Sequence, residues 1–342
     1  GAKFTDNTKF RHADANYNFA HLTHDFADIM IGGSFREYEL NSGGTIFTDF
    51  DGPITYNEYG AYLQIQKDFL DERLKFTGSV RYDKNEFFDG FFSPRVSLLG
   101  TLGENRNHNI RFSIQQGFRN PITQDLFIGL NAGAAILVGS APDNLDRDIR
   151  TYDLSPAGQA ITGSPTSTIV GRAAYENAFS VSSLQAGAPA AVVTPLVQPE
   201  EITAFELGYR AQIGRIAIDL SGYFNTYDNF ISNTNVVVPL YGQAGDNALS
   251  LLALQNGDTQ VYQNYTNSPA DVESYGATIG LDAKVLGDFD FGINYTYAEF
   301  EFDQASFPDF RTQFNTPNHK VKASFGHTQL FKNFGFFINY RW

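Results

Sequence analysis

Segments in which apolar and polar residues alternate strictly recur along this chain, each near ten residues long. That period of two constrains the fold more than any other feature, because it belongs to extended strands with two unlike faces. In LKFTGSVRYD, residues 74–83, one face carries Leu74, Phe76, Gly78, Val80 and Tyr82, and the other carries Lys75, Thr77, Ser79, Arg81 and Asp83. In a soluble sheet the apolar face packs on a core. In a transmembrane barrel the apolar face meets lipid and the polar face lines a wet lumen.

About twelve such segments are expected, near residues 10–19, 28–39, 57–68, 74–85, 92–101, 108–118, 200–212, 215–227, 272–284, 289–302, 316–326 and 334–342. Roughly ten residues is the length a tilted strand needs to cross a bilayer. Apolar sets such as Ile110, Phe112 and Ile114, or Ile216, Ile218 and Leu220, face polar sets such as Arg111, Ser113 and Gln115, or Asp219 and Ser221. The connections alternate in length. LTHDFA, FLDER, LGENRN, IG, VLGD and HTQLFKN are short, whereas 40–56, 86–91, 119–199, 228–271 and 303–315 are long. Short turns on one rim and long loops on the other are the layout of an outer-membrane barrel, while a sandwich scatters loop lengths over both ends. Phenylalanines at strand ends, Phe87, Phe88, Phe91 and Phe92 or Phe331, Phe334, Phe336 and Phe337, suit an interface girdle.

Composition agrees with a sheet: 15% of residues are aromatic, with 32 Phe, 18 Tyr and 31 Gly. No run approaches the roughly 18 apolar residues of a spanning helix, which excludes helical spans and leaves a barrel open. With no cysteine, disulfides, thiolate metal sites and thiol nucleophiles are excluded. A net charge of −14 argues against a nucleic-acid partner. The opening GAKFTDN has neither an initiator Met nor a leader pattern and reads as a processed product or fragment.

Motifs for nucleotide binding, hydrolysis and zinc catalysis are absent. His21 with His24 has no third ligand nearby and reads as a solvated turn, and DNLDRD at 143–148 and NGD at 256–258 read as acidic loop surface in preference to calcium loops. Glu206, Asp219 and Asp282 are expected to pair across a lumen with Arg81, Arg95, Arg111, Arg210, Lys284, Lys320 or Lys322. No catalytic residue, metal site or cofactor is expected, and the chain is not expected to be an enzyme. A barrel hydrolase would need a nucleophile beside His108 or His319, the strand-end histidines.

Several phrases together resemble TonB-dependent outer-membrane receptors, in a style closest to the Bacteroidetes type. They are FFSPRVSLL followed by NIRFSIQQGFRNPITQDLF, then VQPEEITAFELGYR, RIAIDLSGYFNTYDNFI, VESYGATIGLDAKV and NTPNHKVKASFGH, in the family's order over residues 92–342. The resemblance implies an all-β, antiparallel transmembrane β-barrel of 22 strands with an N-terminal plug, in the bacterial outer membrane. Residues 1–342 are then a partial barrel segment of about twelve strands with large outer loops at 119–199 and 228–271, and neither a plug nor a TonB-contacting segment is found in it.

The resemblance assigns Phe118, Arg119, Asn120 and Pro121 to an outer-rim turn and Pro199, Glu200 and Glu206 to the returning strand, in architectural roles. Ligand contacts are expected from the loops, at Tyr152, Tyr175, Tyr241, Gln243, Tyr262 and Tyr265. The implied activity is TonB-dependent import of a scarce nutrient, a ferric siderophore, cobalamin, glycan or peptide. Partners would be a TonB-type inner-membrane protein acting through the plug, outer-membrane lipid and lipopolysaccharide, and a surface lipoprotein. The absence of Lys and Arg between residues 229 and 270 leans against a strongly anionic ligand. The alternative reading is a β-rich surface module for glycan binding or adhesion.

Overall fold

A computed structural model describes residues 3–23, 26–246, 248–310 and 316–342. Twelve strands form one antiparallel sheet in chain order. The first six are Lys9–Asn18, Asp28–Leu40, Ile54–Phe69, Leu74–Asn85, Phe91–Leu102 and His108–Arg119. The last six are Glu200–Ile213, Ile216–Asp228, Val272–Val285, Phe289–Phe302, His319–Phe331 and Phe334–Arg341. Each is hydrogen-bonded to its sequence neighbour, the up-and-down order of a barrel wall. Within these residues the wall does not close on itself, and the first and twelfth strands are its edges.

Cross-strand register makes the two faces continuous. Phe76, Leu98, Phe112, Leu207, Gly222, Ala277 and Tyr297 are successive partners from the fourth strand to the tenth. One residue along, the partners are Thr77, Ser97, Ser113, Glu206, Tyr223 and Gly276. The apolar row is not covered by protein: Leu207 is 59% exposed, Ile279 54% and Ile338 63%. Phe76, Ile218 and Phe291 are half-exposed on this side and do not pack beneath a second layer. Grease that meets no core is stable only against lipid, so the opposite face is the one that looks into the bore.

On the bore face side chains lie flat along the wall. A Cβ on Gly208 would sit 2.4 Å from the Arg111 Nε, and one on Gly276 would sit 2.7 Å from the Tyr223 ring. Gly208 leaves room for Arg111, which reaches Glu206 at 3.4 Å, and Gly276 leaves room for the Tyr223 ring. Lys284 pairs with Asp290 at 2.7 Å, and Arg81 pairs with Asp83 of its own strand at 2.6 Å. The cross-lumen pairing expected of Asp219 and Asp282 is not formed among the described residues. With Lys322 and Arg341 they instead line a polar niche on the wall. Arg95, Arg210 and Lys320 likewise make no ion pair with a described residue.

The rims largely follow the expected alternation, with two departures. The fourth and fifth strands are separated by residues 86–90 alone, because Asn85 ends one and Phe91 begins the next. The first turn is longer than expected and holds a short helix, Ala20–Thr23. Of the strand-end phenylalanines, Phe92, Phe331, Phe334 and Phe337 are exposed as a girdle requires. Phe87 is 41% exposed as well but packs 5.4 Å from Phe127, and Phe88 turns the other way and abuts the second buried cluster of the outer loops.

Residues 120–199 and 229–271 do not remain irregular. They build a six-stranded sheet in the order Ala191–Val192, Ala178–Ser180, Ile231–Pro239, Thr259–Asn267, Ile136–Val138 and Gly129–Asn131. Its core holds Ile136, Val138, Leu145, Tyr175, Val236, Val238 and Tyr262. A second cluster of Leu40, Phe47, Tyr56, Leu126, Phe127 and Val197 welds this outer unit to the loop between the second and third strands.

Phe112→Arg should cost about 2–4 kcal/mol if the site lies near the bilayer midplane, whereas Ser113→Arg, one residue along and facing Glu206, should cost under about 1. Denaturant titration followed by heat-modifiable gel migration checks this, and equal costs at both positions would refute the assignment of faces.

Candidate functional site

The outer mouth is organised by three carboxylates. Arg119, the last residue of the sixth strand, donates from Nη2 to Glu200 Oε2 at 2.7 Å, and the same oxygen accepts the Ile231 backbone N–H at 2.9 Å. One side chain, only 9% exposed, thereby joins two wall strands to the outer-sheet strand Ile231–Pro239. Asn120 donates to Glu58 Oε1 at 3.1 Å, and Asn85 donates to that oxygen at 2.7 Å. Tyr38 bonds the other Glu58 oxygen at 3.2 Å. Asp309, in the connection after the tenth strand, accepts from Ser180 Oγ at 2.6 Å and from Ser182 N and Oγ at 2.9 and 2.8 Å.

The other motif residues lie around these ties. Phe118 packs against Phe91 at 4.9 Å, Pro121 is buried, and Pro199 is half-buried just before the strand that needs no donor from it. Glu206 lies lower in the bore and pairs with Arg111. None of the seven therefore needs a ligand to account for its contacts.

Between the wall and the outer sheet runs a groove of about 580 Å³, continuous with a recess of about 180 Å³ through the shared residues Asn233 and Gln263. Alternation along residues 231–238 creates its roof. Ser232, Thr234, Val236 and Val238 are buried, whereas Asn233, Asn235 and Val237 turn to the open side. Gln263 is paired with Asn235 in register, and Tyr265 with Asn233. At one end, the short helix Thr123–Phe127 is capped by Asp125, which accepts the Ile122 N–H at 2.9 Å. Burial pushes the Asp125 carboxyl above its ordinary range, against the pull of that hydrogen bond and of Arg119. Gln124 donates to the Tyr265 hydroxyl at 2.6 Å.

Of the six expected ligand contacts, Tyr265 lines this groove and the other five do not. Tyr175 and Tyr262 are core residues at 1% and 0% exposure. Tyr175 donates to Val138 and accepts from the Tyr265 N–H at 3.0 Å, and Tyr262 bonds Tyr152 at 3.0 Å. Burial of this kind leaves no ring face for a ligand to stack on. Tyr265 lines the groove at 5% exposure with its hydroxyl bonded by Gln124, Tyr241 is bonded by Asn256 at 2.9 Å, and Gln243 is exposed elsewhere. The groove's own residues, Asn233, Asn235 and Gln263, carry no mark of that role in the sequence, because ISNTNVVV and TQVYQNYTN do not alternate apolar with polar residues and only the strand pairing shows which side they face.

The remaining motifs serve the scaffold. Asn144 is buried and bonded by Thr48 at 2.7 Å, Asp148 pairs with Arg150 at 2.7 Å, and Asp146 with Arg172 at 2.8 Å. Asp258 accepts from Ser155 N and Oγ at 2.7 and 2.9 Å. Among the described residues no group of three or more His, Asp or Glu is placed to hold a metal ion. His21 lies 3.4 Å from the Tyr17 hydroxyl, and His24 lies outside the described residues. His108 and His319 each bond a tyrosine, Tyr209 at 2.7 Å and Tyr295 at 2.8 Å, and not a nucleophile.

A model of the TonB-dependent receptor-like β-barrel matches residues 2–342. Among solved structures, the siderophore receptor PirA from Pseudomonas aeruginosa aligns over 94% of this chain and 46% of its own at 14% identity, with a TM-score of 0.55. A ferric enterobactin receptor (PfeA) mutant from the same organism aligns over 98% and 41% at 15% identity, with a TM-score of 0.60. The FrpB iron transporter from Neisseria meningitidis aligns over 98% and 42% at 13% identity, with a TM-score of 0.55. The chain thus spans under half the length of these structures, and at such identities the likeness is one of fold. No curated protein matches it.

Glu200→Ala should cost about 2–3 kcal/mol, since it leaves a buried N–H and a guanidinium without their acceptor. Unchanged hydrogen exchange at Ile231 in that variant would remove Glu200 from this role. Asp49 gives a pH test in the same rim. Burial opposes its ionisation, but hydrogen bonds from Ser42 Oγ at 2.6 Å, from Gly44 and Gly43 N at 2.8 and 2.9 Å, and from Ser42 N outweigh burial and hold it below the usual carboxylate range. A folded value below the unfolded one means that the stabilisation is present above about pH 4 and is lost as pH falls through the folded value. Amide protection at residues 42–44 should follow that course, and in Asp49→Ala it should be absent at every pH.

Proposed function

Because the chain belongs to the TonB-dependent receptor-like β-barrel family, whose members are outer-membrane proteins, we propose that it forms wall and outer mouth of an energy-coupled importer. The observation that carries this reading is the pairing of an uncovered apolar face along the wall with a folded outer unit on one rim only. The apolar face meets outer-membrane lipid, with lipopolysaccharide in the outer leaflet. The outer unit and the groove beneath it capture a ligand. Release inward depends on a TonB-type inner-membrane protein acting on the plug of the complete receptor.

Among the described residues, His319 and the carboxylates of the mouth already have tyrosine, serine, arginine and backbone partners, so none of them needs a bond-making role to account for its contacts. Named relatives of this fold handle siderophores and iron, which supports uptake of a scarce solute without identifying it.

Cells producing the complete receptor should accumulate at least one of four probes, ferric enterobactin, cobalamin, maltohexaose or a capped octapeptide, and should stop when TonB is deleted or the proton gradient is collapsed. Surface binding that is indifferent to both treatments would replace import with adhesion.

A further inference from the structure

We propose that the mouth groove takes an uncharged peptide in extended form, an assignment that rests on the capture reading above. Asn233 and Asn235 stand two residues apart on one strand and project from the same side, so their amides repeat at roughly 7 Å. Gln263 lies opposite Asn235 in register, and Gln185 lines the adjoining recess. Among the described residues none of these four side-chain amides is hydrogen-bonded within the protein. Elsewhere at the mouth amides are used, as in Asn120 to Glu58 and Gln124 to Tyr265.

A carboxamide offers two donors and an acceptor, so each pairs at once with a peptide carbonyl and a peptide N–H. An extended peptide repeats those groups in one direction every second residue, at the same roughly 7 Å. The strand spacing of Asn233 and Asn235 therefore reads a main chain without reading its sequence, as sheet-edge recognition does by other means. Ile122 and Leu137 at the wider end supply apolar surface for the alternate side chains.

Charge points the same way. Among the described residues the charged groups at the groove are already spent: Arg119 on Glu200, Asp125 on the Ile122 N–H, and Asp309 on Ser180 and Ser182. Among these residues an anionic chelate would meet three carboxylates and a guanidinium already paired, so it gains no unshared cation from them.

The test uses the complete receptor in detergent and an octapeptide of Ala, Val, Ser and Thr, acetylated and amidated so that it carries no charge. The peptide should bind, and N-methylation of alternate residues should weaken it by about tenfold through loss of main-chain donors. Asn235→Ala and Gln263→Ala should each weaken it by about fivefold. Asn235 is exposed, and heat-modifiable migration verifies that its variant is folded. Binding that ignores both substitutions and N-methylation would overturn the groove assignment. Maltohexaose or ferric enterobactin bound in place of the peptide, and lost in these variants, would overturn the peptide while leaving capture intact. A folded receptor that binds none of these three, and not cobalamin either, would overturn both.

Discussion

The structure depends first on the fact that hydrocarbon offers backbone N–H and C=O groups no partner. In a strand those groups are satisfied only by the next strand, so neighbours must pair along their whole length. Pairing in register then turns the two-residue period of each strand into two continuous surfaces. Phe112 and Ser113 are adjacent in the chain and on opposite sides of the wall, because Leu207 and Glu206 opposite them obey the same parity. A slip of one residue anywhere would put arginines into lipid and phenylalanines into the bore.

The outer unit obeys the opposite rule. It stands in water, so its grease points inward, and Tyr175, Val238 and Tyr262 are buried as in any soluble domain. The two regimes meet at the rim, where apolar packing alone would not hold wall and loops in one orientation. Buried or half-buried carboxylates do that directional work. Glu200 joins the sixth and seventh strands to Ile231, Glu58 holds Asn120, and Asp309 fastens the Ser180–Ser182 segment. The same ties leave the groove beneath the outer sheet lined by neutral amides, since the acids and the arginine around it are already engaged.

The wall was legible in residues because its signal is local. Alternation such as Phe205, Leu207 and Tyr209 against Glu206, Gly208 and Arg210 needs no knowledge of distant contacts. The exceptions are also local. Residues 86–91 look like a loop because FFDG breaks the alternation, yet the two strands end and begin so close together that the connection is tight. Phe88 resembles a girdle residue and serves the loop core, because a phenylalanine at a strand end carries no mark of which apolar phase it joins.

By itself, therefore, the sequence determined that this chain pairs into an antiparallel sheet with one oily and one wet face and crowds its long segments onto one rim. Tertiary structure alone decided that those segments fold into a sheet of their own and that Tyr175, Tyr262 and Tyr265 go inside it. It also set Gln263 beside Asn235 on neighbouring strands and, with Asn233, on the open side of a groove. The reason is contact range: a strand's two faces are set by residues one and two apart, whereas the mouth is made where residues near 120, 180, 233, 263 and 309 meet.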